Sequence, residues 1–205
     1  SLISNLGLLA WFKYANFLSG STFAALRWCG MDVQAPAWDI TLPVGISFYT
    51  FQSLSYTIDV WRGRLEPCRK LEDFAFFVLF FPQLVAGPIV RAAEFLPQMG
   101  RPFVFDSQRF RLGALYFLQG LIKKCVIADH CAVLVNMYFS NTEAYGCQTA
   151  WLAALLFTVQ IYGDFSGYSD MAVGLGHMFG YQFPENFRLP YLAGNITEFW
   201  RRWHM

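Results

Sequence analysis

Apolar residues run along this chain in long blocks, and the polar residues that interrupt them mark out its elements. Residues 2–18 are apolar except for Ser4, Asn5, Lys13 and Asn16, which predicts a helix stopped by Gly20 and Ser21, with Lys13 snorkelling towards an interface. Residues 19–39, with Trp28, Pro36, Trp38 and Asp39, read as an interfacial loop with aromatic anchors. A second block, Ile40 to Val60, contains Gln52, Ser53, Ser55, Tyr56 and Thr57. Polar groups at that density hydrogen-bond neighbouring helices rather than face lipid, so this face points into a bundle.

The loop from Trp61 to Asp73 carries Arg62, Arg64, Arg69 and Lys70, and the positive-inside bias places it in the cytoplasm. The next apolar run, Phe74 to Val90, is punctuated by Pro82 and Gly87-Pro88 and is followed by Arg91 and Arg101. With basic flanks on both sides, a simple crossing fits poorly. A re-entrant or buried broken helix fits better, and irregular backbone at membrane depth must be buried in protein or line a cavity. Leu112 to Phe139 is long enough to span, but Lys123-Lys124 near its middle predicts a break there, or a turn lying at an interface. Asp129-His130-Cys131 is no nucleophile relay, because neighbours on a helix project about 100° apart.

From Thr149 to Tyr162 there are too few apolar residues to cross a bilayer, which takes about 20. The helix must therefore carry Asp164, Ser166, Tyr168, Ser169 and Asp170 into the membrane with it. A lipid-facing carboxylate at mid-bilayer costs roughly 3 kcal/mol, so these groups must face protein or water. Helical spacing puts Gln160, Asp164 and Tyr168 on one stripe, and Ser166, Asp170, Gly174 and His177 on another. Asp170 and His177 point within about 20° of each other and could bracket one bound group or partner. Tyr181 to Leu192, with Pro184 and Pro190, reads as an extended loop. Asn195 then resembles an N-cap, with Glu198 completing a capping box for a helix on which Trp200 and His204 share a face.

Composition fixes the class: 56% of residues are hydrophobic, 19% aromatic and only 14% charged, against about 25% charged in a soluble domain. The expected fold is all-α, a polytopic transmembrane helical bundle with broken or re-entrant helices, forming one membrane domain over residues 1–205. A net charge of +1 with no long basic run gives no case for nucleic acid. Five cysteines without a CxxC pair support neither a zinc site nor a disulfide framework. Phosphate-binding glycine loops are missing from the pattern, and no inverted repeats of a transporter are evident, so a non-catalytic membrane transporter or scaffold stands as the alternative to an enzyme. Both ends fall in mid-pattern, so the chain reads as part of a longer protein.

The runs LPVGISFYTFQSLSYTIDVWRG, FFPQLVAGPIVR, GLIKKCVIAD, QIYGDFSGYSDMAVGLG and NFRLPYLAGNITEFWRRWH, in this order, resemble the membrane-bound O-acyltransferase (MBOAT) family. The similarity is greatest to its bacterial branch that acetylates exported polysaccharides such as alginate. A branch that transfers D-alanine to teichoic acid is similar through the same central region. The resemblance implies acyl transfer to a hydroxyl, with acyl-CoA or another thioester as donor substrate and no bound cofactor or metal. It also implies a multi-pass protein of the cell inner membrane, surrounded by lipid and working with extracytoplasmic acetyltransferase subunits. His204 in WRRWH matches the first of the family's two functional histidines; the second is expected further along, so this stretch alone is expected to be inactive. The roles that follow are His204 as base or partner of that second histidine, and Arg201 or Arg202 on an anionic part of a substrate. Asp164, Tyr168 and Asp170 are expected to line the same cavity or to brace the catalytic helix.

Overall fold

The computed structural model describes residues 1–205 apart from Ala35, Ala37, Val85 and Ala86. It is all-helical, with no strand among the described residues. The chain divides into two compact units, one of residues 1–79 and 91–93, the other of residues 80–90 and 94–205.

In the first unit, α1 (Leu2–Leu9) passes through a π-helical turn (Ala10–Tyr14) into α2 (Ala15–Trp28). The stop expected at Gly20 and Ser21 is not there, and much of the predicted interfacial loop is helix. A glycine within a helix costs only about 1 kcal/mol relative to alanine, too little to end one. The helix ends instead at Gly30, whose φ of 87° lets Met31 N–H reach back to the Leu26 carbonyl at 3.1 Å. Of the polar face predicted for helix α3 (Ile46–Trp61), Gln52 is buried at 5% exposed while Ser53, Ser55, Tyr56 and Thr57 are half-buried; Thr50, not part of that prediction, is 2% exposed. Gln52 Nε2 donates to the Phe77 carbonyl of α4 (Leu71–Leu79) at 2.9 Å.

The break expected after Phe74 begins at the end of α4, where Phe80 is extended and Phe81–Gln83 forms a single 3-10 turn around Pro82. Val85 and Ala86 lie outside the described residues. In the second unit, Phe80 packs on Phe95 of α5 (Ala92–Met99) with ring centroids 5.3 Å apart, and Phe95 stacks on Tyr181 at 4.9 Å.

The second unit is built on a seam. Helix α6 (Ser107–Leu121), capped by Asp106 on Gln108 N–H at 2.9 Å, runs into a π-helical segment (Ile122–Ala128) and then α7 (Asp129–Ser140). No break occurs at Lys123-Lys124, contrary to expectation; the helix widens instead. The reason is electrostatic, since both ammonium groups find carboxylates. Lys123 Nζ lies 2.6 Å from Asp170, and Lys124 Nζ lies 2.6 Å from Asp164 and 2.7 Å from Asp129. Both Asp164 and Asp170 belong to α8 (Cys147–Met178), a continuous helix on which Ser166 and Ser169 are buried and both aspartates are paired with lysines.

Glycine lets the two backbones meet. A Cβ on Gly120 would sit 2.3 Å from the Gly167 carbonyl oxygen, and one on Gly174 would sit 2.5 Å from that of Gly113. No helix among the described residues is long and apolar enough to cross a membrane. Exposed apolar side chains nevertheless cover the outer faces, among them Leu115 and Leu118 on α6, Val133 and Met137 on α7, and Trp151 and Leu155 on α8.

Candidate functional site

After α8, Tyr181 N–H bonds the Gly176 carbonyl at 2.8 Å around Gly180, φ 87°, and the chain turns into an irregular segment. That segment leads to α9 (Ile196–Arg202). The predicted cap is present: Asn195 Oδ1 accepts from Glu198 N–H at 2.8 Å, while the Glu198 carboxylate accepts from Gly194 N–H at 2.9 Å and pairs with Arg202. The Gly194 N–H first, and the Arg202 guanidinium second, hold the Glu198 carboxyl below its usual range.

His204 is not on the helix. The backbone leaves helical geometry at Trp203, and His204 takes a left-handed φ of 49°, so it does not share a face with Trp200, which is exposed. For a residue with a Cβ that conformation costs about 1–2 kcal/mol. Tertiary pairing ends the helix: Arg188 N–H donates to the Arg202 carbonyl and Met205 N–H to the Asn186 carbonyl, both at 2.9 Å. The imidazole rests against Phe165 at 4.8 Å and Phe187 at 6.4 Å. Its Nε2 is buried and has no hydrogen-bond partner among the described residues. Burial lowers the pKa of His204, so the ring is neutral at physiological pH.

Two hollows lie nearby, and His204 itself lines neither of them. A cavity of about 640 Å³ is bordered by Gln119, Lys123, Tyr162, Ser169, Asp170, His177, Asn186 and Phe187, among others. Asp170 and His177 do border one space, as their directions on the helix predicted. Asp170 is committed to Lys123 and to Gln119 Nε2 at 3.2 Å, and His177 stacks on Tyr116 at 5.9 Å. Asp164 and Tyr168 line a different, shallower hollow of about 330 Å³, together with Gln160 and Phe165. Phe187 borders the first hollow and Phe165 the second, and His204 packs on both rings.

The six residues singled out from the sequence are therefore not gathered around one cavity. Asp164 and Asp170 brace α8 against α6 and the π segment, Arg202 is tied to Glu198, and Arg201 is exposed without an ion pair among the described residues. What sequence reasoning missed is the pairing of Lys123 with Asp170 and the roles of Ser169 and Asn186. Two lysines and two aspartates stranded in apolar helices need one another, and that charge balance was the available signal.

The model of the MBOAT, membrane-bound O-acyltransferase family, matches residues 70–205, and the chain belongs to that family. It is 48% identical over its full length to the "Probable alginate O-acetylase AlgI" of Pseudomonas syringae pv. tomato, covering 39% of that protein. It is 36% identical over its full length to the peptidoglycan O-acetyltransferase of Helicobacter pylori, covering 43% of it. With the teichoic acid D-alanyltransferase of Bacillus subtilis it shares 30% identity over 79% of the chain and 42% of that protein. The chain thus spans about two fifths of the length of these curated relatives.

Proposed function

We propose that this chain carries the His204 half of the reaction centre of an O-acyltransferase. In this reading the whole protein moves an acyl group, acetyl in the first instance, from a thioester such as acyl-CoA to hydroxyls of an exported polysaccharide such as alginate. The observation that carries it is the buried Nε2 of His204, without a hydrogen-bond partner among the described residues, in the matched stretch of the family. A neutral imidazole can take the proton from an attacking hydroxyl. The new C–O bond forms as the C–S bond breaks, and the thiol leaves with a proton. His204 acts as this base or as the partner of a second histidine outside these residues. The exposed Arg201 is available to an anionic part of donor or acceptor, and Arg202 reaches one only by giving up Glu198.

The outer apolar faces of α6, α7 and α8 favour a lipid setting, a multi-pass protein of the inner membrane that works with extracytoplasmic acetyltransferase subunits. The 30% relative supports a second reading, D-alanyl transfer to teichoic acid by the same chemistry. Purified full-length protein given radiolabelled acetyl-CoA and alginate oligomers tests the first reading. Release of free CoA with label in an alkali-labile ester is the expected result; intact acetyl-CoA, with label transferred only from a D-alanyl thioester, would move the assignment to the second.

A further inference from the structure

Asn186 is 5% exposed and its side chain does one thing among the described contacts: Nδ2 donates to the Ser169 hydroxyl on α8 at 2.8 Å. Ser169 is 2% exposed, so the bond is made in the interior. From the same residue the backbone carbonyl accepts from Met205 N–H, directly after His204. Two residues on, Arg188 N–H binds the Arg202 carbonyl, two residues before His204. Residues 186–188 therefore form a short rail along 202–205, and Phe187, in the middle of the rail, packs edge-on against Trp203 at 5.1 Å and reaches the His204 ring. The two non-glycine residues with positive φ among those described are Leu189 and His204, the first just beyond the rail and the second inside the segment it holds. Left-handed conformations at such residues persist only where surrounding contacts over-determine them.

We propose that Ser169 and Asn186 are positioning residues for His204, their buried hydrogen bond fixing to α8 the rail that sets the place of the imidazole. This rests on the reading of His204 as a reacting group. The Ser169–Asn186 bond touches neither donor nor acceptor; it acts through the backbone of residues 186 and 205. Without it, the contacts of the rail with α8 among the described residues are those of Phe187 on Tyr162 and Phe165, and the imidazole loses a fixed distance to the reacting hydroxyl. A misplacement of that kind lowers the rate of the chemical step rather than donor binding.

The test uses the full-length protein in detergent, with radiolabelled acetyl-CoA as donor. Ser169→Ala and Asn186→Ala are each expected to lower kcat on the order of 10- to 100-fold while KM for acetyl-CoA stays within about twofold. The double variant is expected to be no slower than the slower single, because both remove one bond. Ser169→Thr, which keeps the hydroxyl, is expected to recover most of the rate. If either alanine variant fails to accumulate in the membrane, Asn186→Gln replaces it: the amide is kept but displaced by one methylene, so kcat falls if the proposal holds. Wild-type kcat in these variants, with His204→Ala inactive, overturns the positioning role. Wild-type kcat in His204→Ala overturns the reading beneath it instead.

Discussion

Two regions of the second unit are held in opposite ways. Along the seam between α6, the π segment and α8, backbones meet at glycines and two partly exposed ion pairs, Lys123–Asp170 and Lys124–Asp164, link the helices. Around His204, an irregular segment and a seven-residue helix are held by a cap, an Arg202–Glu198 pair, backbone hydrogen bonds, side-chain bonds from Asn186 to Ser169, Tyr191 to Thr158 and Gln98 to Gln182, and a cluster of aromatic rings. The seam has no degree of freedom to spare, whereas the His204 segment spends conformational strain to aim one side chain. A scaffold of close packing beside a strained, lightly tethered reacting group is how an active site keeps geometry while leaving an approach open.

Breaking the seam should have the largest effect. Gly120→Ala puts a methyl 2.3 Å from the Gly167 carbonyl oxygen, against backbone that cannot move aside. The expected loss is about 3 kcal/mol or more, at or beyond the top of the overpacking range, read as failure to accumulate in the membrane or a collapsed melting temperature in detergent. Wild-type melting would mean that the two helices do not meet there. Lys123→Met comes next. It leaves Asp170 with Gln119 alone, and since both ionic side chains are about one fifth exposed the cost is about 2 kcal/mol rather than the full buried-pair penalty. Adding Asp170→Leu should restore much of this, a recovery that a purely catalytic Asp170 would not give in a melting experiment.

Loosening the other region should separate rate from stability. Asn195→Ala removes the α9 cap at a cost of about 1 kcal/mol. Turnover should fall more than the melting temperature does, since α9 leads into His204; equal effects would erase the contrast between the regions. The smallest effect is that of acid. Glu198 is held below its ordinary value by Gly194 N–H and by Arg202, so its contribution is full above the ordinary carboxylate pKa and is lost only as pH falls through the lowered one. Hydrogen exchange at Gly194 should accelerate in that lower window and not at neutral pH.

Much of the scaffold was legible because its signals are local. The Asn195 cap, the break around Pro82, the burial of Gln52 on α3 and the polar turn of α8 all follow from residue type and spacing within one turn or two. What was not legible depends on partners far along the chain. Helical periodicity put His204 beside Trp200, but residues 186–188 stop the helix first, and nothing local announces that pairing. Helical spacing put Asp164 and Asp170 on different stripes, and it was the resemblance that assigned them one cavity; two adjacent lysines on the π-helical segment hold them apart, Asp170 to Lys123 and Asp164 to Lys124. Gly20 looked like a stop, but it lies inside α2 with open space beside it, whereas Gly120 meets the backbone of a partner helix, a difference that no local pattern carries.

The central claim is that the half-buried imidazole of His204, with its Nε2 shielded from solvent, does chemistry. Full-length wild-type protein and His204→Ala, matched for membrane level and melting temperature, can be compared for release of free CoA from acetyl-CoA in the presence of an acceptor polysaccharide. The account predicts that the variant folds and inserts normally but turns over at least about 100-fold more slowly, the scale expected for loss of a general base. Wild-type turnover by a well-folded His204→Ala would contradict it.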